Sequence, residues 1–333
     1  MTHRTSARSM RRRTGAAALA AAAVLGVAAC SGGPAAGAGE GGDTELTVLH
    51  APINYEALYV AEQEGYFDEE GLDVTITPGG TAQDNLAQLA GGSADLSIVS
   101  WDAAVTATAE NLPIRLVSNN AVISQDFDTS GVVVRKDSGI TSMADLAGKT
   151  IAFNSLGSGG NVPVLQALAA DGVDAKDVEQ VALPYASMQA ALEGKQVDAV
   201  FPSDSFYAQV TADDDFTVIA NPSREYRGGL GITLWAATEP WLAQHADAAE
   251  KFNAAMAKAI DFANDPAHAD AIYQIRSEVS EQPVEKVKSQ LVEFDAAIDP
   301  EISQATTDAL AEFGIVEGPK PFDDIVWEEA PRG

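Results

Sequence analysis

The 333-residue chain has a single cysteine, Cys30. It can therefore form no internal disulfide and no cysteine-based metal cluster. Basic residues are scarce, 20 Lys and Arg against 49 Asp and Glu, for a formal net charge of −29. So acidic a chain argues against nucleic-acid binding and against electrostatic docking on anionic lipid. It says little about a small ligand, because a few local donors outweigh a screened remote field. Past the N-terminus the histidines His50, His245 and His268 are scattered. No zinc-spaced set, His-Glu-x-x-His pair or Gly-x-Ser-x-Gly elbow is present. No later stretch is long and apolar enough to span a bilayer.

The N-terminus carries a targeting pattern. Arg8, Arg11, Arg12 and Arg13 precede an alanine-rich apolar run from Gly15 to Gly26 that is short for a membrane span. It ends in Val27-Ala28-Ala29-Cys30, which resembles the bacterial lipobox. The expectation is a signal peptide over 1–29, lipidation of Cys30, and a flexible Gly/Ala-rich tether over 30–44. Acyl chains on Cys30 would hold the protein at the extracytoplasmic face of the cell membrane without a spanning helix.

Beyond the tether, strand and helix patterns alternate. Glu45–His50, Leu72–Thr77, Ala94–Val99 and Ile114–Ser118 read as strands, with helices at Tyr55–Glu64, Thr81–Ala90 and Ala103–Glu110. The rhythm indicates an α/β lobe with a mainly parallel sheet. Ser130–Arg135 begins a second unit, with strands Lys149–Phe153, Val178–Leu183, Asp198–Phe201 and Thr217–Ile219 and helices Val162–Ala170 and Ser187–Leu192. From Gly228 the chain crosses back through a strand, Leu230–Ala237. Helical patterns follow at Pro240–Asn264, Ala267–Ser277, Val284–Phe294 and Ile302–Phe313, and the tail Gly318–Trp327 is irregular.

Two features stand out. The loop Asn154–Asn161 is rich in serine and glycine and joins a strand to a helix, a corner that exposes backbone N–H donors. It lacks the Gly-Lys-Ser/Thr of a phosphate loop, and it also reads as a plain flexible turn. The second feature is an internal echo. Leu89-Ala90-Gly91-Gly92-Ser93-Ala94-Asp95 parallels Leu192-Glu193-Gly194-Lys195-Gln196-Val197-Asp198, and counting on, Ser100 matches Ser203. Two strand–helix–strand units, one per lobe, would place a ligand beyond the strands' carboxyl ends, in the cleft between lobes.

Ala61-Glu62-Gln63-Glu64-Gly65-Tyr66-Phe67-Asp68-Glu69-Glu70-Gly71-Leu72-Asp73-Val74 resembles a signature of ABC-importer solute-binding proteins, in the branch for nitrate, sulfonates, taurine and thiamine-pyrimidine precursors. Leu89–Asp95, Asp145-Leu146-Ala147-Gly148-Lys149 and Asp198-Ala199 resemble the family's other marks, in order. The resemblance implies an α/β, bilobed, periplasmic-binding-protein-like (type II) fold, two α/β lobes joined by two crossovers near Ser130 and Gly228. Lobe one would comprise 45–130 plus 230–333, and lobe two 131–229. It also implies hinge closure on a small molecule and delivery to an ABC permease and its ATPase, with a monomeric protein and no cofactor or metal expected.

Carried over from the family, ligand contacts fall on the loops after the strands: His50, Asn54, Tyr55, Gly80, Ser100, Trp101, Asp102, Ser155, Ser158, Gly159, Asn161, Ser203 and Asp204. Asn54, Asn161, Ser100 and Ser203 read equally as helix caps, and His50 as a packed residue. Trp101, beside Asp102, reads as a cleft-edge ring. Arg224 and Arg227 near the second crossover are the cations able to reach the cleft. Such a set suits an amine-bearing sulfonate or carboxylate, or a pyrimidine-like ring. The rival classes are an enzyme and a ligand-sensing lipoprotein. One related branch makes a thiamine pyrimidine with its own histidine and an iron-binding cysteine cluster, which this chain lacks.

Overall fold

The computed structural model describes residues 43–288 and 292–333. The signal peptide, Cys30 and nearly all of the tether therefore lie outside the described residues. The described residues contain eleven strands: β1 (Thr44–His50), β2 (Leu72–Pro78), β3 (Leu96–Val99), β4 (Ile114–Val122), β5 (Val132–Arg135), β6 (Thr150–Phe153), β7 (Glu179–Ala182), β8 (Ala199–Val200), β9 (Phe216–Ala220), β10 (Gly231–Thr238) and β11 (Glu293–Phe294). They form a six-stranded sheet, β11-β4-β10-β3-β1-β2, and a five-stranded sheet, β7-β6-β8-β5-β9.

Each sheet carries one lobe. Helices flank both, and the two sheets share an internal order. In the first, β10 is wedged antiparallel between β3 and β4. In the second, β5 is wedged antiparallel between β8 and β9. Each wedged strand is the first one after a crossover between lobes. The first sheet is thus mixed rather than simply parallel, because the chain returning from the second lobe must enter it from the opposite end.

The internal echo has a structural cause. The Thr47 N–H donates to the Asp95 carboxylate at 2.8 Å, and the Asp95 N–H donates back to the Thr47 carbonyl at 2.9 Å. In the other lobe the Thr150 N–H donates to the Asp198 carboxylate, and the Asp198 N–H to the Thr150 carbonyl, both at 3.0 Å. Each aspartate satisfies a backbone donor of a neighbouring strand, Thr47 within β1 and Thr150 at the start of β6. Leu89 and Leu192, six residues before these aspartates, are buried in the respective cores.

Two local expectations are corrected. Val284–Phe294 is not one helix: helix Val284–Val287 ends early, and Glu293–Phe294 pairs with β4. The apolar spacing fits a helix, but the open edge of β4 offers a ladder. The Asn264 amide adds two bonds to Phe294, donating to its carbonyl at 2.7 Å and accepting its N–H at 3.2 Å. Asn54 is not a helix cap. It sits at φ 55°, and helix Glu56–Gln63 starts after Tyr55. The tail lies along the first sheet, where the Leu116 N–H donates to the Ile325 carbonyl and the Trp327 N–H to the Leu116 carbonyl, both at 2.9 Å.

The lobes are in close contact. Val162, from the helix after β6, is fully buried within the first lobe's core. No described helix is long and apolar enough to cross a membrane.

Candidate functional site

A cavity of about 280 Å³ lies between the carboxyl ends of the strands of both sheets. That is close to the lower end of the usual range of about 300–1,000 Å³ for small-molecule sites, and suits a ligand of about one ring. Lobe one contributes Ser100, Trp101 and Asp102, directly after β3. Lobe two contributes Asn154, Ser155, Ser158 and Asn161 after β6, Tyr185 after β7, and Phe201, Ser203 and Asp204 after β8. The crossovers add Ser130, Ser223 and Arg227.

Eight of the residues expected from sequence are therefore brought to one cavity: Ser100, Trp101, Asp102, Ser155, Ser158, Asn161, Ser203 and Asp204. Their roles differ. The Ser100 hydroxyl caps its helix, accepting the Ala103 N–H at 3.2 Å. Ser203 makes no cap bond. Its hydroxyl accepts from Tyr185 at 3.3 Å, which leaves it facing the cavity. The Asn161 side chain caps nothing either; it donates to the Ser155 carbonyl at 2.7 Å, and the Ser155 hydroxyl donates to Ser158 at 3.1 Å. The glycine-rich loop thus holds its own shape.

Trp101 sits in the wall but is only 1% exposed, with its indole N–H donating to Thr307 at 3.2 Å and its ring stacked on Phe322. It is a core residue of lobe one, not the expected cleft-edge ring. A large apolar ring gains more from full burial than from a solvated rim.

The remaining expected residues lie elsewhere. His50, Tyr55 and Tyr59 form an edge-to-face cluster, with the Tyr59 hydroxyl 3.2 Å from His50 Nε2. Burial lowers the His50 pKa and raises that of Tyr55. Tyr55 donates to the Arg276 carbonyl at 3.3 Å, beneath the buried Arg276–Glu56 ion pair. Asn54 accepts from Asn120 through its carbonyl at 2.7 Å. Gly80 donates its N–H to Asn85 at 2.9 Å, and Asn85 is itself anchored to the Ile98 carbonyl. The loops after β1 and β2 are thereby tied to their own lobe. Gly159 is buried below the cavity, where its carbonyl accepts from Arg227 at 3.0 Å.

Two charges define the electrostatics. Arg227 is 5% exposed and donates to both Asp102 oxygens at 3.0 and 3.3 Å. Asp204 has no cation within salt-bridge reach among the described residues. Its backbone sits at φ 53°, a strained value for a residue with a side chain. Asp204 is exposed and lines the cavity. Desolvation by the surrounding protein pushes its pKa up. Arg224 pairs with Asp128 at 2.6 Å, away from this cavity. Among the described residues no group of three or more His, Cys, Asp or Glu side chains is placed to hold a metal ion.

Tyr185, Ser130 and Ser223 were missed in the sequence. The rule that selected Gly80 in the loop after β2 also covers Tyr185, just beyond β7, the strand that corresponds to β2 in the other lobe. Ser130 and Ser223 bond to each other at 2.9 Å across the two crossovers, a pairing 93 residues apart that no local pattern marks.

Two α/β lobes joined by two crossovers over a polar cleft make up the periplasmic-binding-protein-like fold. The chain belongs to the NMT1/THI5-like family, whose model matches residues 53–269. It is similar to the periplasmic aliphatic sulphonate binding protein SsuA from Escherichia coli, with a TM-score of 0.70 and 16% identity over 87% of this chain and 94% of that one. It is 26% identical over 230 residues to the 4-amino-5-hydroxymethyl-2-methylpyrimidine phosphate synthase of Aspergillus parasiticus, covering 66% of each chain. It is 31% identical over 147 residues to the formylaminopyrimidine-binding protein of Halalkalibacterium halodurans, covering 43% of this chain and 42% of the relative. The chain thus spans 66% of the first curated relative's length and 42% of the other's.

Proposed function

We propose that the protein is the extracytoplasmic solute-binding component of an ABC importer, and that its ligand is a small, amine-bearing nitrogen heterocycle of the aminopyrimidine kind. The observation that carries this reading is the charge layout of the cleft. Arg227 is neutralised by Asp102, whereas Asp204 points an unpaired carboxylate into the cavity. An amino group or protonated ring nitrogen would donate to Asp204, and the hydroxyls of Ser203 and Tyr185 would meet the remaining polar edge. The apolar faces of Tyr185 and Phe201 suit a flat ring. A sulfonate or nitrate finds no free cation there. The formylaminopyrimidine-binding relative supports the same ligand class.

In this reading the lobes, 45–130 with 230–333 and 131–229, close on the ligand and present it to a permease. Cys30, at the end of Val27-Ala28-Ala29, carries the lipid anchor. Relatives named as synthases favour a second reading, in which the cleft performs chemistry on a pyrimidine. Calorimetric titration with 4-amino-5-hydroxymethyl-2-methylpyrimidine, its formylamino analogue, taurine, ethanesulfonate and nitrate tests both. Saturable binding of the pyrimidines without turnover is the expected result. Preference for the sulfonates sinks the ligand assignment, and steady product formation sinks the binding-protein assignment.

A further inference from the structure

Arg227 is the only cation on the cavity wall among the described residues. Its two terminal nitrogens are both engaged by protein: Nη1 by the Asp102 carboxylate and Nη2 by the Gly159 carbonyl. Its Nε is buried without a hydrogen-bond partner. Asp102 is held in the first turn of helix Trp101–Ala109, beside the Ser100 cap, with its side chain 26% exposed. An oxyanion entering the cleft therefore meets two carboxylates, Asp102 and Asp204, before any available guanidinium.

We propose that Asp102 is a specificity-determining residue. It is the built-in counter-ion of Arg227, and it makes the cleft reject sulfonates and other oxyanions. The inference rests on the reading of this cavity as the ligand site. Discrimination between ligands can come from repulsion as much as from attraction. A carboxylate fixed on the cavity wall supplies it in two ways: it repels the anion, and it occupies the charge-assisted bonds the anion would need. With the carboxylate removed, Arg227 presents Nη1 to the cavity, and an oxyanion takes the vacated place.

The test is titration of ethanesulfonate and of 4-amino-5-hydroxymethyl-2-methylpyrimidine into the wild type, Asp102→Asn and Asp204→Asn. Both variants remove one negative charge, but only the first uncovers Arg227. Asp102→Asn is expected to bind ethanesulfonate about tenfold to hundredfold more tightly than the wild type, with an affinity that weakens as salt rises. Asp204→Asn is expected to show no such gain. Asp102→Ser, which keeps an acceptor but no charge, serves if the asparagine variant does not fold. Equal ethanesulfonate affinity in wild type and Asp102 variants overturns the inference, as does an equal gain in Asp204→Asn. The pyrimidine titration separates the two claims. A wild type that ignores the pyrimidine, beside an Asp102 variant that gains the sulfonate, removes the ligand assignment and keeps the counter-ion assignment.

Discussion

Gly159 approaches the Asp102 carboxylate across the cleft so closely that a methyl group on its α-carbon would overlap the Asp102 oxygen. Its φ is not in the left-handed region, so the requirement for glycine is steric. Gly159→Ala is expected to strain the contact by about 1–3 kcal/mol, the usual cost of overpacking, to push the lobes apart at this point and so to weaken ligand binding. Calorimetry reads the affinity, and small-angle scattering of the ligand-bound protein reads the opening. Gly157 is the control. It needs glycine for its φ of 66°, with no atom in the way of a methyl, so Gly157→Ala should cost stability but not closure. Unaltered affinity and scattering in Gly159→Ala would remove the contact from the closing mechanism.

Asp204 gives the cleft a pH dependence. Its pKa is raised by desolvation, so the folded state holds the proton more tightly than the unfolded chain. Stability from this group therefore falls as pH rises from the ordinary carboxylate range through the raised value. Affinity for an amine-bearing ligand moves the other way and is lost as pH falls through the same window, where the carboxylate protonates. Asp204→Asn keeps the shape, and asparagine tolerates positive φ. The variant is expected to melt slightly higher than the wild type at neutral pH without ligand. It should bind the pyrimidine about 1.5–3 kcal/mol more weakly, with no pH dependence in that window. Calorimetry and thermal melts across pH check both signs.

Trp101 should report on the core of lobe one. Trp101→Phe loses the bond to Thr307 and part of the stack on Phe322. It is expected to lower unfolding free energy by about 1–3 kcal/mol, from a buried hydroxyl left without its donor. Ligand affinity should change far less than in Asp204→Asn. Urea unfolding and calorimetry on one sample distinguish these outcomes, and a large affinity loss at native stability would return Trp101 to the ligand contacts.

Asp95 and Asp198 should behave as equivalents. Replacing either with alanine leaves a strand N–H, that of Thr47 or Thr150, without its acceptor. Each variant is expected to lose about 1–3 kcal/mol of stability. Hydrogen exchange should show faster opening confined to β1 in one case and β6 in the other. Exchange spread evenly over both sheets would show that the lobes do not open independently.

Much of this architecture was legible in the residues themselves. Alternating apolar patterns located the strands, the Leu–Gly–Asp echo marked the repeated unit, and the loops after β3, β6 and β8 were marked as the places where polar side chains gather. These features are local: a residue's neighbours within one element determine its period, its cap and its turn. The partners of Arg227 were not legible, because Asp102 and Gly159 stand 125 and 68 residues away, and only lobe packing brings them together. The same holds for Trp101, drawn into the core by Thr307 and Phe322, and for β11, which left a helical pattern to cover the edge of β4. Local pattern was enough for most strands and helices, for the repeat and for the polar loops after β3, β6 and β8. Which charges cancel and which face the cavity came only with packing, since burial and pairing depend on contacts between segments that are distant along the chain.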